Sequence, residues 1–151
     1  QLVNAIRSFG KSLKNSDAAL FYFSGHGNQH KSLNWLIPIG ANIQRESDLE
    51  FEAINAERVL AEMEGGSSRR VNIVIFDACR ANRSFRSFRS YSRGFAYPKV
   101  QSEGSIVAFS TAPGTVAYDG EGRNSPYVAE LSKHMLTPGL KIEDIFKLEF
   151  F

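Results

Sequence analysis

A histidine flanked by glycines sits in Phe23-Ser24-Gly25-His26-Gly27, and the chain's single cysteine closes Phe76-Asp77-Ala78-Cys79. A thiol with its ordinary pKa of about 8.5 is only a few per cent thiolate at neutral pH. A neighbouring imidazole lowers that pKa or takes the proton, then returns it to a leaving amine. His26 and Cys79 are therefore the candidate catalytic pair. Glycine at position 25 is expected to let the chain turn sharply, and at position 27 to let backbone approach a substrate carbonyl. The backbone N–H groups of Gly27 and Cys79 are the candidate oxyanion donors, and loss of one such donor typically costs about 3–4 kcal/mol of transition-state stabilisation.

Asp77 precedes the cysteine by two residues, so strand alternation points both side chains to one face. A carboxylate there pairs with a guanidinium through two parallel hydrogen bonds and with an ammonium through fewer. It also repels acidic side chains, so a basic group is expected beside it, Arg ahead of Lys because of the second hydrogen bond. The plainer reading is an aspartate that caps a loop or pairs with Arg80. Ser24 and Asp119 join Asp77 as candidate substrate-binding residues, with Asp119 also readable as a surface charge. His26, His30 and Cys79 are a conceivable metal set, but Gly27 and Asn28 oppose the helix that would align the two histidines. No metal is assigned.

The elements that must hold these groups are legible in outline. Leu2, Val3, Ile6, Phe9 and Leu13 recur at helical spacing. Ala18–Gly25 is an unbroken apolar run of strand length, as in a strand covered on both faces. Asn34–Gly40 reads as a short edge strand, since Pro38 has no N–H for a central ladder. Asn55 caps a helix with Val59, Leu60 and Met63 inward, ended by Gly65-Gly66. A second buried strand ends at the cysteine, and a third spans Ser105–Ala112. Ser125-Pro126 opens a helix carrying Val128, Leu131 and Met135 inward, and a last helix follows Lys141. Strands alternating with helices predict one α/β domain with a mostly parallel sheet. In such sheets, sites lie beyond the carboxyl ends of the strands, where His26 and Cys79 both fall.

The 151 residues are 42% hydrophobic with a net charge of +2, enough for a core and too balanced to announce a nucleic-acid or membrane partner. No apolar run approaches the roughly 20 residues that span a bilayer. One cysteine excludes an intramolecular disulfide and suits a reducing, cytoplasmic setting. Ala81–Glu103 has no periodicity. Its arginines, interleaved with Phe85, Phe88 and Tyr91, look like a single-stranded nucleic-acid platform, but a solvated loop is the favoured reading and nucleic acid is not the expected partner.

"FYFSGHG" followed by "DACR" resembles the caspase-like cysteine peptidases, the clan of caspases, metacaspases and paracaspases. The His-to-Cys interval of about 50 residues fits, and "STAPGTVAYDGEGRNSPY" is similar to bacterial members. The resemblance implies a three-layer α/β/α fold and a His26–Cys79 dyad, with oxyanion donors at Gly27 and Cys79. It also implies aspartate at position 77 in the metacaspase and paracaspase pattern, and protein or peptide substrates with Arg or Lys before the scissile bond. The long loop after the nucleophile is expected to be cut in maturation. No cofactor is implied, and calcium activation is not legible from these residues. Against the family's pattern, the leading strand-helix-strand and the closing strand are missing, so residues 1–151 read as one catalytic domain, partial at both ends. The rival readings are a non-catalytic caspase-like interaction module and nucleic-acid binding through the arginine loop.

Overall fold

The computed structural model describes residues 2–65, 70–80, 95, 104–110 and 124–148, the side chains of 79, 80 and 148 excepted. The expected loop 81–103, apart from Phe95, and Asp119 lie outside the described residues. The order is α1 (Leu2–Ser12), a 3₁₀ turn (Leu13–Asn15), β1 (Ala18–His30), β2 (Leu33–Ile37), α2 (Leu49–Glu52), β3 (Ile54–Asn55), α3 (Ala56–Glu64), β4 (Val71–Arg80), β5 (Ser105–Phe109), α4 (Pro126–His134) and α5 (Ile142–Leu148).

These elements make one five-stranded mixed sheet in the order β3-β2-β1-β4-β5. β1 and β4 run parallel from Ala18↔Val71 to Gly27↔Arg80, and β5 continues parallel beside β4. β2 returns antiparallel along the far end of β1, from His26↔Ile37 to His30↔Leu33. The parallel part is the larger, as the apolar runs predict.

Two features depart from the sequence reading. β1 does not turn at Gly25: it stays extended through Gly27 to His30, and the reversal falls on Lys31 and Ser32, whose φ angles are 52° and 60°. Hairpin pairing with β2 supplies hydrogen bonds that carry the strand past its parallel partner. β2, expected at the edge, is flanked by β3 at Trp35 and Leu36, and Pro38 stands just outside it.

Helices cover both faces, giving three layers. On one, Ile6 and Leu13 of the first helical segment and Val59, Leu60 and Met63 of α3 bury against Val74 and Phe76, with Phe21, Phe23 and Phe109 alongside. On the other, Leu131, Ile145 and Phe146 bury against Ile75. Met135, expected inward, is past the end of α4 and 46% exposed. A third cluster, Trp35, Ile43 and Leu49, sits under the hairpin, and Trp35 Nε1 donates to the His30 carbonyl at 3.4 Å.

Both predicted caps form. Asn55 Oδ1 accepts from Glu57 N–H at 2.9 Å, and Ser125 Oγ accepts from Val128 N–H at 3.2 Å. Among the described residues, no helix is long and apolar enough to cross a membrane.

Candidate active site

The parallel register sets the site. His26 is the Cα partner of Cys79, and Ser24 is the partner of Asp77, at the carboxyl ends of adjacent strands. Neighbouring residues of a parallel ladder lie about 4.8 Å apart across the strands. The two residues expected to work together are thus brought side by side at the backbone level. His26 is exposed, and with Ser24 it borders an open cleft of about 970 Å³ whose other walls include Leu2 and Val3 of α1 and Ile37–Ala41 after β2.

Gly27 has Cα partners on both sides, Leu36 and Arg80. Its φ is not positive, so conformational freedom does not explain the glycine. Crowding does: a Cβ built on Gly27 would run into the ring of Phe95. That ring packs on Phe76 and Phe109 at centroid distances of 5.8 and 5.6 Å. Phe95 therefore closes the side of β1 that carries Phe21 and Phe23, opposite the side of Tyr22, Ser24 and His26.

Asp77 is 4% exposed, a depth at which an ionised carboxylate is costly unless its oxygens are satisfied. Its partners are two hydroxyls. Ser125 Oγ donates to Oδ2 at 2.8 Å, and Tyr22 OH donates to the same oxygen at 3.2 Å. Among the described residues it has no cationic partner. Burial pushes the Tyr22 phenol above its ordinary value; the neighbouring Ser24 hydroxyl opposes this, and the charge of Asp77 adds to the rise. The phenol therefore keeps its proton and remains a donor.

Ser110 stands next after Phe109, the Cα partner of Phe76, and its N–H donates to the Phe76 carbonyl at 3.0 Å. Its Oγ is buried and without a hydrogen-bond partner among the described residues. Alternation along β5, with Ile106 and Ala108 against the α4–α5 cluster, sets Ser110 on the face of Asp77. His30, the other member of the conceivable metal set, is instead beside Glu46, Nδ1 to Oε2 3.3 Å.

Sequence reasoning did not find Tyr22, Ser110 or the second role of Ser125. Tyr22 shares a face with Ser24 and His26 by simple alternation, which is the one available signal. Its link to Asp77 depends on the β1–β4 register, and that of Ser125 on where α4 begins over the sheet.

The caspase-domain family model matches residues 1–148 of the chain. No curated protein matches it. With a match of nearly full length, on a three-layer fold whose mostly parallel sheet sets a histidine and a cysteine in register, the chain belongs to the caspase-domain family of cysteine peptidases.

Proposed function

We propose that the protein is a cysteine endopeptidase that cleaves after Arg or Lys, with Cys79 as nucleophile and His26 as acid and base. His26 takes the thiol proton as sulfur attacks the scissile carbonyl carbon. The N–H groups of Gly27 and Cys79 receive the oxyanion. Collapse expels the amine, which takes the proton from His26 and leaves a thioester. Water, deprotonated by His26, then attacks the thioester; the acid is released and the thiol is restored. Asp77 receives the basic side chain before the scissile bond, and Ser24 and Asp119 border that side chain.

The observation that supports this reading best is the His26↔Cys79 register at the ends of adjacent parallel strands, with a buried aspartate two residues earlier on β4. A carboxylate at 4% exposure with neutral partners favours a cationic visitor over an acidic one. The test is a panel of fluorogenic peptides differing only in Arg, Lys, Asp or Leu before the scissile bond, run on the full-length protein and its Cys79→Ala variant. Cleavage after Arg and Lys that vanishes in Cys79→Ala is expected. Faster cleavage after Asp, or activity that survives the substitution, overturns the reading.

A further inference from the structure

The Asp77 carboxylate is held through one oxygen. Ser125 Oγ and Tyr22 OH both donate to Oδ2, and Oδ1 takes no hydrogen bond among the described residues. A carboxylate oxygen offers about two acceptor positions, so Oδ2 is filled. The two donors come from different elements, β1 and the N-cap of α4. Ser125 Oγ is itself fixed, because it accepts the Val128 N–H at 3.2 Å as the α4 cap. With that lone pair engaged, its proton is directed to Asp77. The Tyr22 hydroxyl reaches the same oxygen from β1 at 3.2 Å.

Resting on the reading of Asp77 as the acid that receives a basic side chain, we propose that Ser125 and Tyr22 are positioning residues that leave Oδ1 as its one open oxygen. The site then grips Arg and Lys alike through a single oxygen and discriminates little between them. The expectation from sequence, that Arg is preferred, requires a guanidinium fork on both oxygens. With Oδ2 occupied, the second parallel bond is lost, and with it the guanidinium's geometric advantage over an ammonium. The Ser110 hydroxyl, buried on the same face without a partner among the described residues, is a second acceptor suited to a donor that does not need a fork.

The experiment compares kcat/KM for two fluorogenic peptides differing only in Arg or Lys before the scissile bond. It uses the full-length protein and its Tyr22→Phe, Ser125→Ala, Ser125→Thr and Asp77→Ala variants. The unaltered protein should favour Arg over Lys by no more than about threefold. Tyr22→Phe and Ser125→Ala each free a position on Oδ2, so the Arg/Lys ratio should rise about tenfold, chiefly through KM for the Arg peptide. Ser125→Thr keeps the hydroxyl and should keep the original ratio. General damage to the fold lowers both peptides together and does not move the ratio. Tyr22 is half-exposed and loses one oxygen atom in Tyr22→Phe, so that variant stands if Ser125→Ala weakens α4.

A strong Arg preference in the unaltered protein overturns the proposal, as does a ratio that neither hydroxyl deletion moves while Asp77→Ala abolishes cleavage of both peptides. If Asp77→Ala leaves both peptides cleaved as before, the reading of Asp77 itself fails, and the proposal with it.

Discussion

Two buried charges in this chain are handled in opposite ways. Asp77 is 4% exposed and satisfied by hydroxyls on one oxygen, which suits a group meant to meet a ligand. Removing it should lower kcat/KM for Arg and Lys peptides by about 2–5 kcal/mol, the range seen when one partner of a desolvated charge pair is truncated. Steady-state kinetics on Asp77→Ala measures this, and an unchanged value counts against the role. Arg70 is 2% exposed and has no carboxylate partner among the described residues. Its Nε donates to Asn72 Oδ1 at 3.0 Å, one terminal nitrogen to the Leu13 carbonyl at 2.7 Å, and the other to the Met63 carbonyl. The Met63 carbonyl lies in the last turn of α3, where the helix dipole is negative and acceptors are left over, whereas the Leu13 carbonyl also accepts the Ser16 N–H at 3.1 Å. Arg70→Met should therefore destabilise the fold by roughly 1–3 kcal/mol through the lost bonds to Met63, Leu13 and Asn72. Equilibrium urea unfolding tests it; a loss well under 1 kcal/mol would mean that water replaces the guanidinium. Sequence reasoning missed Arg70, because nothing in its neighbourhood distinguishes it from the solvated arginines.

At the scale of elements, local chemistry was legible where the signal is local. Asn55 and Ser125-Pro126 mark helix starts by side chain alone, and both caps form. The run Ala18–Gly25 is a strand, but its continuation to His30 was not readable, because the hydrogen bonds that extend it come from β2. Gly25 suggested a turn and Gly27 a close approach to substrate, but neither has a positive φ: a Cβ would meet the ring of Phe23, two residues back on β1, at position 25 and the ring of Phe95, from elsewhere in the chain, at position 27. The His26–Cys79 pairing was anticipated from strand ends, whereas the hydroxyls around Asp77 needed the register and the seat of α4. A smaller element carries a pH signature. Asp48 Oδ2 accepts from the N–H groups of Gln44 and Arg45 at 3.0 and 2.9 Å, and these bonds hold its carboxyl below the ordinary value of 3.8. A depressed carboxyl contributes stability above its unfolded value and loses it as pH falls through the lower folded one. The amide shifts of Gln44 and Arg45 should accordingly titrate with a midpoint below 3.8. A midpoint at or above that value would show the bonds to be absent.

For the whole molecule, the sheet is unevenly covered. Along β1, β2 pairs only with His26–His30, so the outer edge of Ala18–Gly25 has no strand against it among the described residues. On the same strand Leu20 and Tyr22 are 47% and 44% exposed. Open edges of this kind template pairing with another chain. The 151-residue chain should self-associate as its concentration rises, and Leu20→Lys, by charging the strand, should weaken that association. Sedimentation velocity over a dilution series reads both, and a monomer at every concentration would contradict them. The single tryptophan gives the molecule a built-in optical gauge of uneven reach. Trp35 lies in the cluster with Ile43 and Leu49, away from the α4–α5 layer. Its emission is set by the hairpin end of the sheet and is blind to a loosening of α4 over Asp77. Agreement between tryptophan emission and far-ultraviolet dichroism during unfolding would thus mean that the two ends of the sheet melt as one body. Separate transitions would mean that the cap over Asp77 can lift while the rest stays folded.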